Sequence, residues 1–189
     1  MGLATMLQYH SKWMVRHWRP DKRGIYQLIW EDEAVDRNIL HTTGENAILS
    51  AFFVTAFANY GAPPANTYLG LDHTRVPAED DTLATLDELA FGDGYERKAL
   101  ITGGTGLAGQ DWVLAASGGG YQDVTTKTVT WTATANWAQA VRNIFLATHV
   151  TAVVDGDNVH LICSLALSAL RTLLNGDKLE GSMIIGLSE

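Results

Sequence analysis

A strict alternation of apolar and hydroxyl side chains runs through residues 124–135, VTTKTVTWTATA. In an extended chain Val129, Trp131 and Ala133 fall on one side, and the intervening threonines fall on the other. A period of two is that of a β-strand with one face in a core and the other in water. The stretch therefore predicts one strand at the surface of a sheet.

Strand-length segments continue to the end of the sequence. Three of them, each rich in branched residues, are predicted as strands: residues 141–150, 159–167 and 178–187. Turn-forming residues precede or separate them: Asn136, residues 155–158, and Asn175-Gly176-Asp177. Because short turns join neighbouring strands in opposite directions, we expect the C-terminal third to be an antiparallel sheet.

The preceding part of the chain mixes strand and helix patterns. Further strands are expected at residues 24–30 and 34–41, around an acidic turn at Glu31-Asp32-Glu33, and at residues 66–73, 94–101 and 110–116. A wide apolar stripe at helical spacing predicts a main helix over residues 45–59. Acidic residues that open residues 78–89 predict a second, short helix, whose cluster of Glu79, Asp80 and Asp81 is better explained by the helix dipole than by a cation site.

Charge is distributed unevenly along the chain. The net charge is −8, yet residues 1–23 hold five basic residues against Asp21, a local +4, so residues 24–189 carry −12. An acidic body disfavours nucleic acid as a partner, because phosphates need a basic surface. The longest nearly uncharged apolar run, residues 47–58, is shorter than the ~18 residues that cross a bilayer, and the first residues lack the order of a signal peptide. We expect neither membrane binding nor secretion.

Residues 1–23 are interpreted as an N-terminal arm, and residues 24–189 as the folded domain. Apolar residues recur at helical spacing up to His17, and Pro20 ends the pattern. Two alternatives stay open: a helix on its own domain, or a helical or extended arm that docks on another subunit and is needed for assembly but not for folding. Aromatic, Met and Arg side chains are enriched at interfaces. The predicted contact residues are therefore Trp13, Met14, Arg16, Trp18 and Arg19.

No pattern in the sequence predicts catalysis or metal binding. Residues 104–109 match G-x-G-x-x-G, but a dinucleotide site needs a helix after the last glycine, and here residues 110–117 and a triple glycine follow. The six histidines lack metal-ligand spacing, and Cys163 lies in an apolar run typical of a buried thiol. We therefore expect no catalytic residues, no metal and no cofactor.

Several segments together resemble a group of tailed-bacteriophage virion proteins described as head decoration, collar or tail-fibre proteins. They are WEDEAVDRNILHTTGENAILSAFF, APPANTYLGLD, AEDDTLATL, GDGYERKAL, TVTWTATANWAQAVRNIFLAT and SLALSALRTLLNGDKLEGSMII, in this order from about residue 24 to the end. The family pattern G-N-G-Y-A-R is GDGYER at residues 92–97 here, a change at two positions that leaves a turn possible. The resemblance implies a virion setting and a structural role.

The number of short strands favours a two-sheet antiparallel β-sandwich, jelly-roll-like, with one main helix. The function expected is that of a non-enzymatic virion structural protein, assembled in the host cytoplasm as a homo-oligomer. It would be a capsid decoration (cement) or neck component that contacts major capsid, portal or tail proteins. Two alternatives remain: a tail-fibre or receptor-binding module whose loops at residues 103–109 and 118–120 contact a host glycan, and a nucleotide-dependent oxidoreductase that rests on the glycine motif alone.

Overall fold

The computed structural model describes residues 8–35, 39–44, 66–74, 76–101, 111–117, 121–148 and 160–188. Strands dominate these residues, as predicted. They are β1 (Gln8–Pro20), β2 (Tyr26–Val35), β3 (Ile39–Leu40), β4 (Asn66–Asp72), β5 (Lys98–Ile101), β6 (Trp112–Ser117), β7 (Tyr121–Thr126), β8 (Val129–Thr132), β9 (Val141–Ala147), β10 (Leu161–Arg171) and β11 (Lys178–Ser188).

The strands form two sheets in which every pairing is antiparallel. The first sheet has the order β2-β1-β11-β7-β6, with β8 also paired to β11, and the second has the order β3-β10-β9-β4-β5. The predicted fold class is thereby confirmed at the level of a mainly β, antiparallel protein. The strands expected in the C-terminal third are present as β9, β10 and β11.

One hydrophobic cluster joins the two sheets. Trp13, Trp131 and Met183 enter it from the first sheet, and Leu71 and Ile144 enter it from the second, all of them almost fully buried. Burying a large apolar side chain contributes about 1.5 to 3 kcal/mol. The cluster is therefore the main source of stability that holds the sheets together.

The threonine-rich stretch is two strands, not one, but its faces are as predicted. Val129, Trp131 and Ala133 are buried and the threonines between them are exposed. The pairing partners of Thr125 and Val129 in β11 are Ile184 and Gly181, so four steps along β7–β8 match three along β11. The extra residue interrupts the ladder as a β-bulge does.

The helix expected from the spacing of residues 3–17 is wrong over residues 8–17, which belong to strand β1. This strand lies between β2 and β11 and pairs with both along most of its length. Trp13 and Val15 are completely buried in the shared core. The expectation that the N-terminal segment is dispensable for folding is therefore wrong for β1. The domain boundary at residue 23 stays a prediction.

The acidic turn expected at residues 31–33 is also wrong, because β2 runs straight through it. Glu31 and Glu33 point to solvent and pair with Arg16 and Lys12 of β1 at 2.5 and 2.6 Å. Asp32 points inward, where its Oδ2 accepts a hydrogen bond of 2.7 Å from the Ser168 backbone N–H. Opposite charges across a strand pair stabilise a strand, and so they replace the turn.

Residues 78–89 form consecutive turns instead of the predicted helix. Asp81 accepts hydrogen bonds from the Ala78 backbone N–H at 2.6 Å and from Thr85 Oγ1 at 2.9 Å. Thr85 Oγ1 in turn accepts one from the Thr82 backbone N–H. Side chains that satisfy the local backbone compete with helix formation, and here they win.

Some predictions fall outside the described residues. These are the main helix at residues 45–59, the loops at residues 103–109 and 118–120, and the turn at residues 155–158. In the part of the chain that the structure describes, no helix has the length and apolar character to span a membrane.

Candidate functional site

The five predicted contact residues lie on β1 and divide between the core and the surface. Trp13 points into the core and is completely buried, so it is not part of the described outer surface. Met14 and Arg16 point to the outer face of the first sheet, between β2 and β11. Arg16 Nε donates to Glu31 Oε2 at 2.5 Å, and this carboxylate is the main reason that the pKa of Arg16 is raised.

Trp18 and Arg19 lie further along, where β1 approaches the turn between β10 and β11. Trp18 Nε1–H donates to Glu180 Oε2 at 2.8 Å. Arg19 donates through Nε and Nη2 to the carboxylate of Asp177, with distances of 2.9 and 2.7 Å. A bidentate interaction of this kind fixes the orientation of both side chains. Side chains of β1 thus connect the β1–β2 hairpin to the turn between β10 and β11.

Asp177 is the hub of this junction and is almost fully buried. Besides Arg19, it receives a hydrogen bond from the Leu174 backbone N–H at 2.9 Å, and His17 Nε2 lies 2.9 Å from its Oδ2. Burial alone would raise the pKa of Asp177, but these three donors together lower it. Gly176, with a φ of 88°, allows the turn that presents the carboxylate. The cluster holds a turn in place.

His17 is buried beside the same carboxylate. Burial lowers its pKa against the opposing effect of Asp177, and Arg19 and Arg171 add to the lowering. A neutral His17 donates through Nε2, and its buried Nδ1 has no hydrogen-bond partner. Because Arg19 already neutralises Asp177, this histidine is best described as a neutral structural donor.

Around this junction lies a surface that we call the hairpin end: residues 19–29 of the β1–β2 hairpin and residues 170–178 of the β10–β11 turn. It holds five basic and two acidic residues, a net charge of +3, so the remaining residues carry −11. It also exposes five large apolar side chains, each between 41% and 55% exposed, namely Ile25, Leu28, Ile29, Leu170 and Leu174.

Cations of the hairpin end stack on aromatic rings. The guanidinium of Arg171 lies 4.5 Å from the ring centre of Trp30, and Lys178 Nζ lies 3.9 Å from that of Tyr26. Such contacts hold long side chains flat against the sheet. The hairpin end therefore combines exposed apolar residues with basic ones, and Arg19 is the one predicted contact residue within it.

A second arrangement of polar side chains surrounds the GDGYER turn. Arg97 is buried and donates to both carboxylate oxygens of Glu88 at 2.8 Å. The Tyr95 hydroxyl donates to Glu88 Oε1 at 2.6 Å and accepts from the Leu71 backbone N–H at 2.9 Å. Burial and the nearby Glu88 raise the pKa of Tyr95 well above its ordinary value. The network ties the turn to β4.

The turn also fits against β8. Gly94 has a φ of 89°, and a Cβ there would collide with the carbonyl oxygen of Thr132. Trp131 Nε1–H and Trp137 Nε1–H donate to the backbone oxygens of Glu96 and Asp93, both at 2.8 Å. Gly94 and the two tryptophans of the resembling segments therefore have a structural purpose.

An open cleft of about 550 Å³ lies beside this turn, lined by Phe91, Gly92, Gly94, Tyr95, Glu96, Lys98, Thr130 and Thr132. Lys98 Nζ and Glu96 Oε1 pair across 3.0 Å on its wall. Threonine hydroxyls and an exposed Phe ring can bind a ligand, but they offer neither a nucleophile with a base nor a set of metal ligands.

Two buried polar pairs in the second sheet have catalytic residue types. His41 Nε2 lies 2.7 Å from Ser164 Oγ, and both side chains are almost fully buried. Burial lowers the pKa of His41, against smaller contributions from Glu79 and Asp81. Asp72 accepts a hydrogen bond from Asn143, and its burial raises its pKa. Each pair joins neighbouring chain segments inside the protein, which is a structural use of these groups.

The glycine motif lies outside the described residues after Ile101, but its surroundings are clear. β5 before it is antiparallel to β4, and β6 and β7 after it form an antiparallel hairpin. A dinucleotide fold would have a helix and a parallel strand at this point. Cys163 is buried as predicted, and within the described ranges no group of three His, Cys, Asp or Glu residues could hold a metal ion.

No protein-family model matches the sequence, and a search of curated proteins gives no match either. The function is therefore inferred from the chemistry of the surfaces and clusters described above.

Proposed function

We propose that this protein is a non-enzymatic structural component of a tailed-bacteriophage virion, most consistent with a capsid decoration or neck protein, and that its two sheets pack as a jelly-roll-like sandwich. Its partners would be other copies of itself and major capsid, portal or tail proteins, in a particle assembled in the host cytoplasm. The support from sequence is the resemblance of ordered segments from about residue 24 to the end.

The observation that carries the proposal is the use of the buried ionisable groups. Asp177 holds the β10–β11 turn, Asp32 binds the backbone of β10, and Glu88 joins Arg97 to Tyr95. Each group binds a backbone atom or a side chain that fixes the fold. Chemistry of this kind suits a scaffold, whereas an enzyme needs such groups at an accessible site.

A tail-fibre or receptor-binding role is the second candidate, and the cleft beside Phe91 favours it. An exposed aromatic ring next to threonine hydroxyls suits a sugar. The nucleotide-dependent oxidoreductase keeps only the G-x-G-x-x-G match as support, since antiparallel strands flank the motif.

The test is a quantitative mass-spectrometric count of this chain in purified phage particles. Hundreds of copies per particle would support a decoration protein, and a few copies would favour a neck or fibre protein. Particles that lack the chain would overturn the proposal. A titration with reduced and oxidised nicotinamide dinucleotides, followed by tryptophan fluorescence, tests the oxidoreductase alternative in the same preparation.

A further inference from the structure

The hairpin end combines properties that an isolated surface rarely has. Five large apolar side chains are exposed there, and contiguous exposed apolar area on a soluble protein usually marks a contact surface. The same end holds Lys22 and Arg23 at the tip of the β1–β2 hairpin, and both are exposed. Such a surface fits a partner that offers acidic side chains beside an apolar one.

The same chain offers a surface of this type in residues 76–80. Val76 is 52% exposed, and Glu79 and Asp80 are exposed as well. No basic residue lies between Val76 and Leu89, a stretch that holds five acidic residues. The two surfaces therefore have opposite charge, and each exposes at least one large apolar side chain.

The two surfaces lie toward opposite ends of β10. The Thr42 backbone N–H donates to the Glu79 oxygen at 3.1 Å, and that of His41 donates to the Ile162 oxygen at 3.0 Å, so Glu79 lies near the start of β10. The hairpin end lies at the finish of β10, around Arg171. Leu161 pairs with Ala147 and Arg171 pairs with Val141, so this part of β10 spans six residues of β9, a length of about 20 Å. One molecule cannot bring the two surfaces together.

We propose that the chain associates head to tail with a second copy of itself, with the hairpin end of one copy against residues 76–80 of the next. A two-fold axis that passes through the hairpin end would place one basic hairpin end against another, which charge repulsion disfavours. A head-to-tail contact pairs opposite charges instead, and its repetition gives a closed ring or a filament. This contact would build the homo-oligomer of the proposed function, on which it rests. It can be tested on the purified protein without phage particles.

The experiment is sedimentation velocity of the full chain at low and high salt, with two charge-reversed variants. Lys22→Glu/Arg23→Glu makes the hairpin end acidic, and Glu79→Lys/Asp80→Lys makes the acidic segment basic. Each variant alone presents like charges at the contact, so we expect self-association at least about tenfold weaker than in the natural chain. An equimolar mixture of the two presents opposite charges at every contact, and we expect it to associate again.

Two controls separate this contact from general charge effects and from unfolding. Lys98→Glu/Lys127→Glu changes the net charge as much as the first variant and lies in neither surface, so its association should match that of the natural chain. Circular dichroism melts of all variants check that each is folded. Added salt should weaken the association of the natural chain, because it screens charges beyond about 8 to 10 Å.

Several results would overturn the proposal. The natural chain could remain monomeric at about 0.2 mM in low salt, which would mean that its self-association is too weak to build an oligomer. The mixture could fail to associate although both variants are folded, which would show that the two surfaces do not meet. Association lost in Ile25→Ser/Leu28→Ser but unchanged in both charge variants would indicate pairing through the β2 edge. None of these results would alter the particle count that tests the proposed function.

Discussion

Strands β1 and β8 belong to the same sheet and are built on the same principle, yet only one can be recognised in the sequence. In β8, Val129 and Trp131 point into the core and Thr130 and Thr132 point to solvent. In β1, the inward positions from Ser11 to His17 are all buried, and the outward positions between them are half-buried. Both strands pair with β11.

The difference lies in the outward residues. β8 has small hydroxyl side chains on its outer face, so its period of two is visible as an alternation of chemistry. β1 has Lys12, Met14, Arg16 and Trp18 there, which are large and lie over neighbouring strands. Long amphipathic side chains cover apolar surface while their polar ends reach water or a carboxylate. A strand in the middle of a sheet can therefore look like an amphipathic helix or an arm.

The largest expected effect is the loss of β1. A chain that lacks residues 1–20 loses the strand between β2 and β11, together with Trp13 and Val15 of the core. The whole free energy of unfolding of a domain is only about 5 to 15 kcal/mol, so we expect no cooperative melt by circular dichroism.

A chain that lacks only residues 1–7 is the control for this deletion, because it retains all of β1. If the shorter chain without residues 1–20 still melted cooperatively with a β-rich spectrum, β1 would be an accessory strand and its likeness to β8 would be superficial.

The second prediction compares the tryptophans of the two strands. Trp13→Ala and Trp131→Ala each remove a completely buried ring, so each should lower the free energy of unfolding by about 3 to 5 kcal/mol. Thr130→Ala, on the exposed face of β8, should lower it by well under 1 kcal/mol. Denaturant titrations measure all three changes.

A small effect of Trp13→Ala beside a large one of Trp131→Ala would break the equivalence of the strands. Similar losses for Trp131→Ala and Thr130→Ala would mean that the assignment of the two faces of β8 is wrong.

The sequence predicts the strands whose local signals agree with their place in the fold. β9, β10 and β11 combine branched residues with flanking turns, and Asn175-Gly176-Asp177 does form the turn before β11. The errors occur where a distant partner decides the outcome. β2 continues through three acidic residues because Lys12 and Arg16 of β1 pair with two of them and the third, Asp32, binds the backbone of β10.

The candidate surface could be predicted only in part for the same reason. Residue type predicts Trp18 and Arg19 as contact residues; Arg19 lies in the hairpin end and Trp18 lies directly before it. Their partners, Glu180 and Asp177, are about 160 positions away in the chain. No local pattern indicates that Leu170, in β10, and Leu174, in the turn after it, belong to the same end of the molecule. Recognising such a surface requires the pairing of β1 with β11.

The smallest expected effect concerns a buried titratable side chain, His17, which β1 has and β8 lacks. Burial lowers the pKa of His17 below its ordinary value of 6.5, so the unfolded chain binds a proton there more readily than the folded protein. The corresponding stability is fully present above about pH 6.5 and is lost as the pH falls.

His17→Gln should cost about 1.5 to 3 kcal/mol at pH 7.5, because it weakens a buried hydrogen bond to a carboxylate. The cost should shrink toward pH 5, since the variant has no imidazole to protonate. Trp131→Ala is the matched comparison, because its loss involves no titrating group and should be the same at both pH values. A cost of His17→Gln that is equally constant between pH 7.5 and 5 would show that His17 does not contribute to the pH dependence of stability, and the two strands would then differ only in their outward side chains.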